Sequence, residues 1–160
     1  MDYQVNPFTR FDQDWGLVTA GTKEKFNSMT ISWGGMGTLW GKPVITIYIK
    51  PSRYTMKFLT KENRFTVSFF PKELKRKIHS VMGGQSGRDL DKDKASGITP
   101  RFTPEGITFE EAEETFYCQK IYVQKLDEKA IPEEVMKRFY PDKDPHYLFI
   151  GELLKHETKR

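Results

Sequence analysis

The chain has 160 residues, with 26 Lys or Arg against 22 Asp or Glu, a net charge of +4 and a pI near 9.0. That length suits a single domain over residues 1–160, and 37% hydrophobic, 14% aromatic and 30% charged residues exclude a disordered or disulfide-stapled chain. The basic excess is interleaved with acidic residues and argues little for nucleic acid; no apolar run reaches the roughly 20 residues that span a bilayer.

The N-terminal M-D-Y-Q-V-N lacks a basic region followed by an apolar one, so a cytoplasmic location is expected. Trp15 to Gly21 reads as a first strand, and the charged turn T-K-E-K leads into a second over Phe26 to Trp33, the two pairing as a hairpin. That second strand is unusually polar, with Asn27, Ser28, Thr30 and Ser32 where a core strand carries aliphatic residues. Gly34, Gly35 and Gly37 are expected to end regular structure and to admit a ligand close to the backbone, with Trp33 and Trp40 as aromatic walls. A strand followed by a wide surface turn accounts for the same residues equally well.

Pro43 to Ile49 is rich in β-branched residues and reads as a strand central to a barrel. Ser52 is expected to cap a short helix that ends near Asn63, followed by a strand over Arg64 to Phe70. Pro71 opens a basic helix with Leu74, Ile78 and Val81 on its apolar stripe, capped by Gly83-Gly84. Gln85 to Arg101 is too polar for core and reads as a surface loop or short helix. Ile107 to Ala112 and Thr115 to Asp127 look like paired strands, Pro132 to Tyr140 like a helix, and His146 to Leu154 like a last strand. The expected fold is mainly β with short helices, a barrel closed to avoid exposed edges.

The glycines miss the G-x-G-x-x-G spacing of a dinucleotide fold, and Gly41-Lys42 lacks the partner glycine of a phosphate-binding loop. His79, His146 and His156 show no metal-ligand spacing, and the flanks of the single Cys118 mark a buried thiol. Pro51-Ser52-Arg53-Tyr54-Thr55 is the best anion candidate, since a helix start with a hydroxyl and a guanidinium suits phosphate, although plain capping by Ser52 explains it too.

In order, N-S-M-T-I-S-W-G, K-P-V-I-T-I-Y-I-K-P-S-R-Y-T, F-T-V-S-F-F and S-G-R-D-L-D-K make the chain resemble the flavin reductase-like family, closest to its flavoredoxin-like branch, from about Trp15 to Glu152. The resemblance implies a split β-barrel that dimerises and binds FMN noncovalently near the subunit interface. It further implies that backbone groups of Asn27, Ser28, Met29 and Thr30 hold the ring, that Trp33 packs beside it, and that Ser52, Arg53, Thr55 and Lys92 meet the phosphate. Ser86 and Arg88 belong to the same block as Lys92, whose own position is expected to be an exposed one without a core role. His146 corresponds to a residue that relatives place near the isoalloxazine; the flavin carries the chemistry and no amino-acid nucleophile is expected.

The implied activity is hydride transfer from NADH or NADPH to bound flavin. The alternative within the family is an FMN electron carrier that works with a redox protein partner. A non-catalytic single-stranded nucleic-acid barrel is the reading from another class, and the acidic run of Glu110, Glu111, Glu113 and Glu114 weighs against it.

Overall fold

A computed structural model describes residues 4–84 and 91–159, so Ser86 and Arg88 lie outside the described residues. In chain order the elements are α1 (Pro7–Asp12), β1 (Gly16–Gly21), β2 (Phe26–Ile31), β3 (Gly34–Leu39), β4 (Lys42–Ile49), α2 (Thr55–Lys61), β5 (Arg64–Phe69) and α3 (Lys72–Gly84). There follow α4 (Lys92–Ser96), β6 (Pro100–Phe102), β7 (Ile107–Phe109), β8 (Glu114–Lys125), α5 (Glu133–Phe139) and β9 (Tyr147–Thr158). Seven strands form one antiparallel sheet in the order β2-β1-β5-β8-β9-β4-β3. This is a mainly β split barrel with short helices.

The β1–β2 hairpin forms as expected, with Val18 opposite Met29. β4 is next to the edge rather than central, and β8 takes the middle of the sheet. The glycines after Trp33 do not end regular structure: Gly34, Gly35 and Gly37 belong to β3, paired with β4. Gly34 is required there by crowding, since a Cβ would lie 2.6 Å from the Phe11 ring and 2.9 Å from the Thr46 carbonyl. The turn comes later, at Trp40 and Gly41, whose φ of 53° and 73° match a two-residue hairpin of the type that follows strand twist. Trp40 therefore sits 65% exposed at a hairpin tip and walls no cleft.

Ile107 pairs with β6 instead of β8, because Thr103-Pro104-Glu105-Gly106 folds back as a tight turn, with Gly106 N–H donating to the Thr103 carbonyl. β8 pairs instead with β5 and, along most of its length, with β9. The sheet is not closed by hydrogen bonds, since β2 and β3 each have a single neighbour. Its core holds Val18, Ile47, Phe65, Val67, Phe69, Phe116, Cys118 and Phe149, and burial pushes the Cys118 thiol well above its ordinary pKa.

α1, which the sequence pattern does not announce, is pinned by a buried charge. Arg10 is 4% exposed, lies 4.1 Å over the Phe69 ring, pairs doubly with Glu114 and reaches Asp14 at 3.1 Å. The other oxygen of Glu114 bonds His156 Nε2 at 2.7 Å, and that imidazole stacks on Phe116. Removing one partner of such a set leaves buried charge poorly compensated. Arg10→Ala is expected to cost roughly 3–5 kcal/mol in urea unfolding, with part recovered in the Arg10→Ala/Glu114→Gln double variant. A loss below about 1 kcal/mol means that α1 is a dispensable flap.

Candidate functional site

Among the described residues β2 has β1 on one side only, so its other edge offers backbone groups to a groove. The groove has two connected parts. The first, about 380 Å³, is lined by Asn27, Met29, Lys50, Ser52, Arg53, Thr55 and Lys92, with Tyr54, Met82 and Gly84 completing it. The second, about 160 Å³, runs along Met29, Thr30, Ile31, Ser32 and Trp33 and is faced by Tyr48 and His146. Met29, Lys50 and Arg53 line both and form the junction. Among the described residues no Asp or Glu lines either part, whereas Lys50, Arg53 and Lys92 do.

Among the sequence-selected residues, the structure brings Asn27, Met29, Thr30, Trp33, Ser52, Arg53, Thr55, Lys92 and His146 to this groove. Ser28 is different: its hydroxyl turns inward to Thr19 at 2.8 Å, and only its carbonyl is engaged toward Lys92. Thr55 is 1% exposed and its Oγ1 accepts from Asn27 Nδ2 at 2.7 Å, which ties α2 to β2. Its substitution therefore disturbs the frame as well as any ligand. Ser52 does not cap the helix, which begins at Thr55 after Tyr54 without a side-chain cap. At seven residues α2 is too short to lend much dipole, so attraction for an anion rests on the three side-chain cations.

Lys92 departs most from expectation. It is 7% exposed, and its Nζ donates to the Ser28 carbonyl at 3.0 Å and the Met82 carbonyl at 3.3 Å, joining α4 to β2 and α3. Burial, then the nearby Arg53 charge, lowers its pKa from 10.5 to about 8, with Asp93 opposing. Arg53 is exposed and has no ion-pair partner among the described residues. Lys50, which is not among the site residues expected from the sequence, is held by Asp142 Oδ2 at 2.8 Å and the Asp144 carbonyl at 2.7 Å. The adjacency of Lys50 to the Pro51-Ser52-Arg53 motif was the available signal.

His146 closes the far end. Its Nδ1 bonds the Tyr140 hydroxyl at 2.7 Å, and its ring lies 5.1 Å from Trp33, which also meets Phe139 edge-on. Burial first, then Lys50 and Arg53, lower its pKa to about 4, so it is neutral at pH 7. A second imidazole supports the strand from behind: His79 Nδ1 bonds Thr30 Oγ1 at 2.6 Å, while its buried Nε2 has no partner among the described residues.

Residues 8–160 match the sequence profile of the flavin reductase like domain, and the chain belongs to that family. Solved structures share its fold. An FMN-binding protein from Thermus thermophilus with bound 1-cyclohex-2-enone superposes with a TM-score of 0.71 at 21% identity, covering 99% of this chain and 80% of that one. A flavoredoxin from Methanosarcina acetivorans gives 0.71 at 16%, with 100% and 76% covered. The NADH:FAD oxidoreductase of Streptomyces globisporus C-1027, in complex with NAD and FAD fragments, gives 0.67 at 16%, with 91% and 74% covered. Among curated proteins no significant match was found.

Because two carbonyls depend on its amine, Lys92→Gln is expected to cost about 1–3 kcal/mol in denaturant unfolding, rather than the near-zero cost of an exposed lysine. A variant as stable as the parent means that water replaces both bonds.

Proposed function

We propose that the protein is an FMN-binding oxidoreductase whose flavin is reduced by NADH or NADPH. The observation that carries this reading is the groove itself: among the described residues three cations and no carboxylate stand at its walls, continuous with an aromatic and imidazole end. Flavin, when bound, supplies hydride and electron transfer; the protein supplies position and electrostatics. Arg53, Lys92 and Ser52 take the phosphate at the wide end, where charge-assisted hydrogen bonds hold a dianion. The free edge of β2 from Met29 to Ile31, with Ser32 just beyond it, presents backbone donors and acceptors to the polar rim of the ring. Trp33 and His146 wall the narrow end, and a neutral His146 orients by hydrogen bonding without adding charge.

The narrow end opens at the surface, with Trp33 42% and Phe139 41% exposed. That opening favours a second reading, an electron carrier whose redox partner docks beside the ring. Rapid bleaching of bound flavin by NADH or NADPH alone supports the reductase; slow bleaching with fast oxidation by a redox protein supports the carrier. A second copy of the chain covers part of the exposed apolar surface in the same reading, which includes Tyr122 and Leu154. Sedimentation of a flavin-loaded monomer at micromolar concentration contradicts the dimer.

Arg53→Gln is expected to weaken FMN by about tenfold or more, the worth of one charge-assisted hydrogen bond, and riboflavin far less. Fluorescence titration with both flavins checks this, and equal losses place Arg53 away from the phosphate. Arg53 is a cleaner probe than Thr55, whose hydroxyl serves Asn27.

The pH dependence follows from Lys92. With its free-state pKa lowered to about 8 and a phosphate dianion favouring the ammonium, binding takes up a proton above that value. FMN affinity is therefore level between about pH 7 and 8 and falls as pH rises through 8, by up to about tenfold per unit. The fall is absent in Lys92→Met and small for riboflavin; an unchanged profile in Lys92→Met removes the contact.

A further inference from the structure

The two carbonyls that Lys92 serves fix more than its position. A tetrahedral nitrogen bonded to its own Cε and donating to Ser28 and Met82 has one direction left. In the ammonium form that direction carries the third N–H, and in the neutral amine it carries the lone pair. Lys92 lines the same wide cleft as Ser52, Arg53 and Thr55, so a nucleophilic nitrogen and anion-binding side chains share one small volume.

We infer that Lys92 is a modification site for acyl phosphates, the cleft holding the phosphate while the ε-amine takes the acyl group. This rests on reading the wide end as a phosphate subsite. The lone pair attacks the acyl carbon, an amide C–N bond forms, and the C–O bond to phosphate breaks. Inorganic phosphate leaves with the electron pair, and the amine proton passes to solvent; nothing is oxidised or reduced.

The charge state supports the step. Near pH 8 about half of Lys92 is free amine, against well under about one per cent of a lysine at the ordinary 10.5. Arg53 contributes twice, as phosphate anchor and as the charge that disfavours the ammonium. Asp93, whose carboxyl is pushed up to about 6 by burial and by Asp91, is still ionised at pH 8 and opposes the shift, and the Lys92 value near 8 already includes that opposition. Lys57, Lys61 and Lys129 are exposed and line none of this cleft, so they serve as internal references.

Acylation turns a cation into a neutral amide with one N–H, which keeps at most one of the two carbonyl bonds. Flavin loading and acylation of Lys92 are then mutually exclusive, and the modification closes the site to FMN.

The test incubates the intact protein, flavin-loaded and flavin-stripped, with acetyl phosphate at pH 8 and follows each lysine by peptide mass spectrometry. In the stripped protein Lys92 is expected to acetylate at least about tenfold faster than Lys57, Lys61 and Lys129. Excess inorganic phosphate or FMN slows Lys92 alone, and Arg53→Gln removes its advantage. The neutral ester p-nitrophenyl acetate, which offers no phosphate, shows much less preference for Lys92. Equal rates at Lys92 and the reference lysines overturn the proposal, as does the same preference with the neutral ester. Selective acetylation that saturating FMN leaves unchanged supports the acyl site and takes FMN out of this cleft. FMN binding that depends on Arg53, without selective acetylation, rejects the modification site and leaves the flavin reading intact.

Discussion

Ser32 and Trp33 are the only residues between β2 and β3, and those are the two outer strands of a seven-stranded sheet. Three Cα steps span no more than about 11 Å, so opposite edges of the sheet must come together at this point. The sheet curls because its chain leaves no other option, and it curls without a hydrogen-bond ladder across the join. What lies beside the join is a seam with the free edge of β2 on one side and the end of β4, running into Lys50 and Arg53, on the other. The groove is this seam, and Trp33 stands in it because it is itself half of the link.

The electrostatics of the seam make sense as one system. Arg53 lowers the proton affinity of Lys92 at one end and of His146 at the other, and Lys50 acts on His146 as well. Among the described residues positive charge is thus in excess along the groove, with Lys50 compensated through Asp142 and the Asp144 carbonyl and Lys92 in part by Asp93. In the proposed reading an anionic ligand would relieve this excess, so part of its binding energy would come from repulsion among the cations themselves. The Asn27–Thr55 bond carries this arrangement mechanically, since it fixes the strand that offers backbone against the helix that follows Arg53.

Much of this was legible in the sequence. β-branched and aromatic residues marked β2, β4 and β5, and alternation marked β8, because each of these strands sets a face in the core. β3 was hidden by its own glycines: Gly34 answers to the approach of Phe11, a contact between distant residues that no local pattern shows. The pairing of β7 with β6 is set by the turn Thr103-Pro104-Glu105-Gly106, which lacks the Asn-Gly or Asp-Gly pair that marks a hairpin in sequence. At the site, residue types such as Asn27, Arg53 and Trp33 signalled their chemistry. Lys92 did not signal its burial, since a polar neighbourhood in sequence says nothing about carbonyls arriving from β2 and α3. Lys50 and His79 were missed for the same reason: their roles are set by Asp142 and Thr30, 92 and 49 positions away.

The free edge of β2 has a further consequence, concerning what stays out. An unpaired strand edge is a template on which any extended segment of another chain can continue the sheet, and this one cannot be blunted by a neighbouring strand without losing the groove. Buried and half-buried cations beside an edge are a recognised defence, because a docking strand must desolvate them without supplying a counter-charge. Lys92, bonded to the Ser28 carbonyl, already occupies one rung of the ladder that an intruder needs. In the proposed reading, the charges that hold a small anion would thus also discourage growth of the sheet, so that neutralising them would trade selectivity for aggregation.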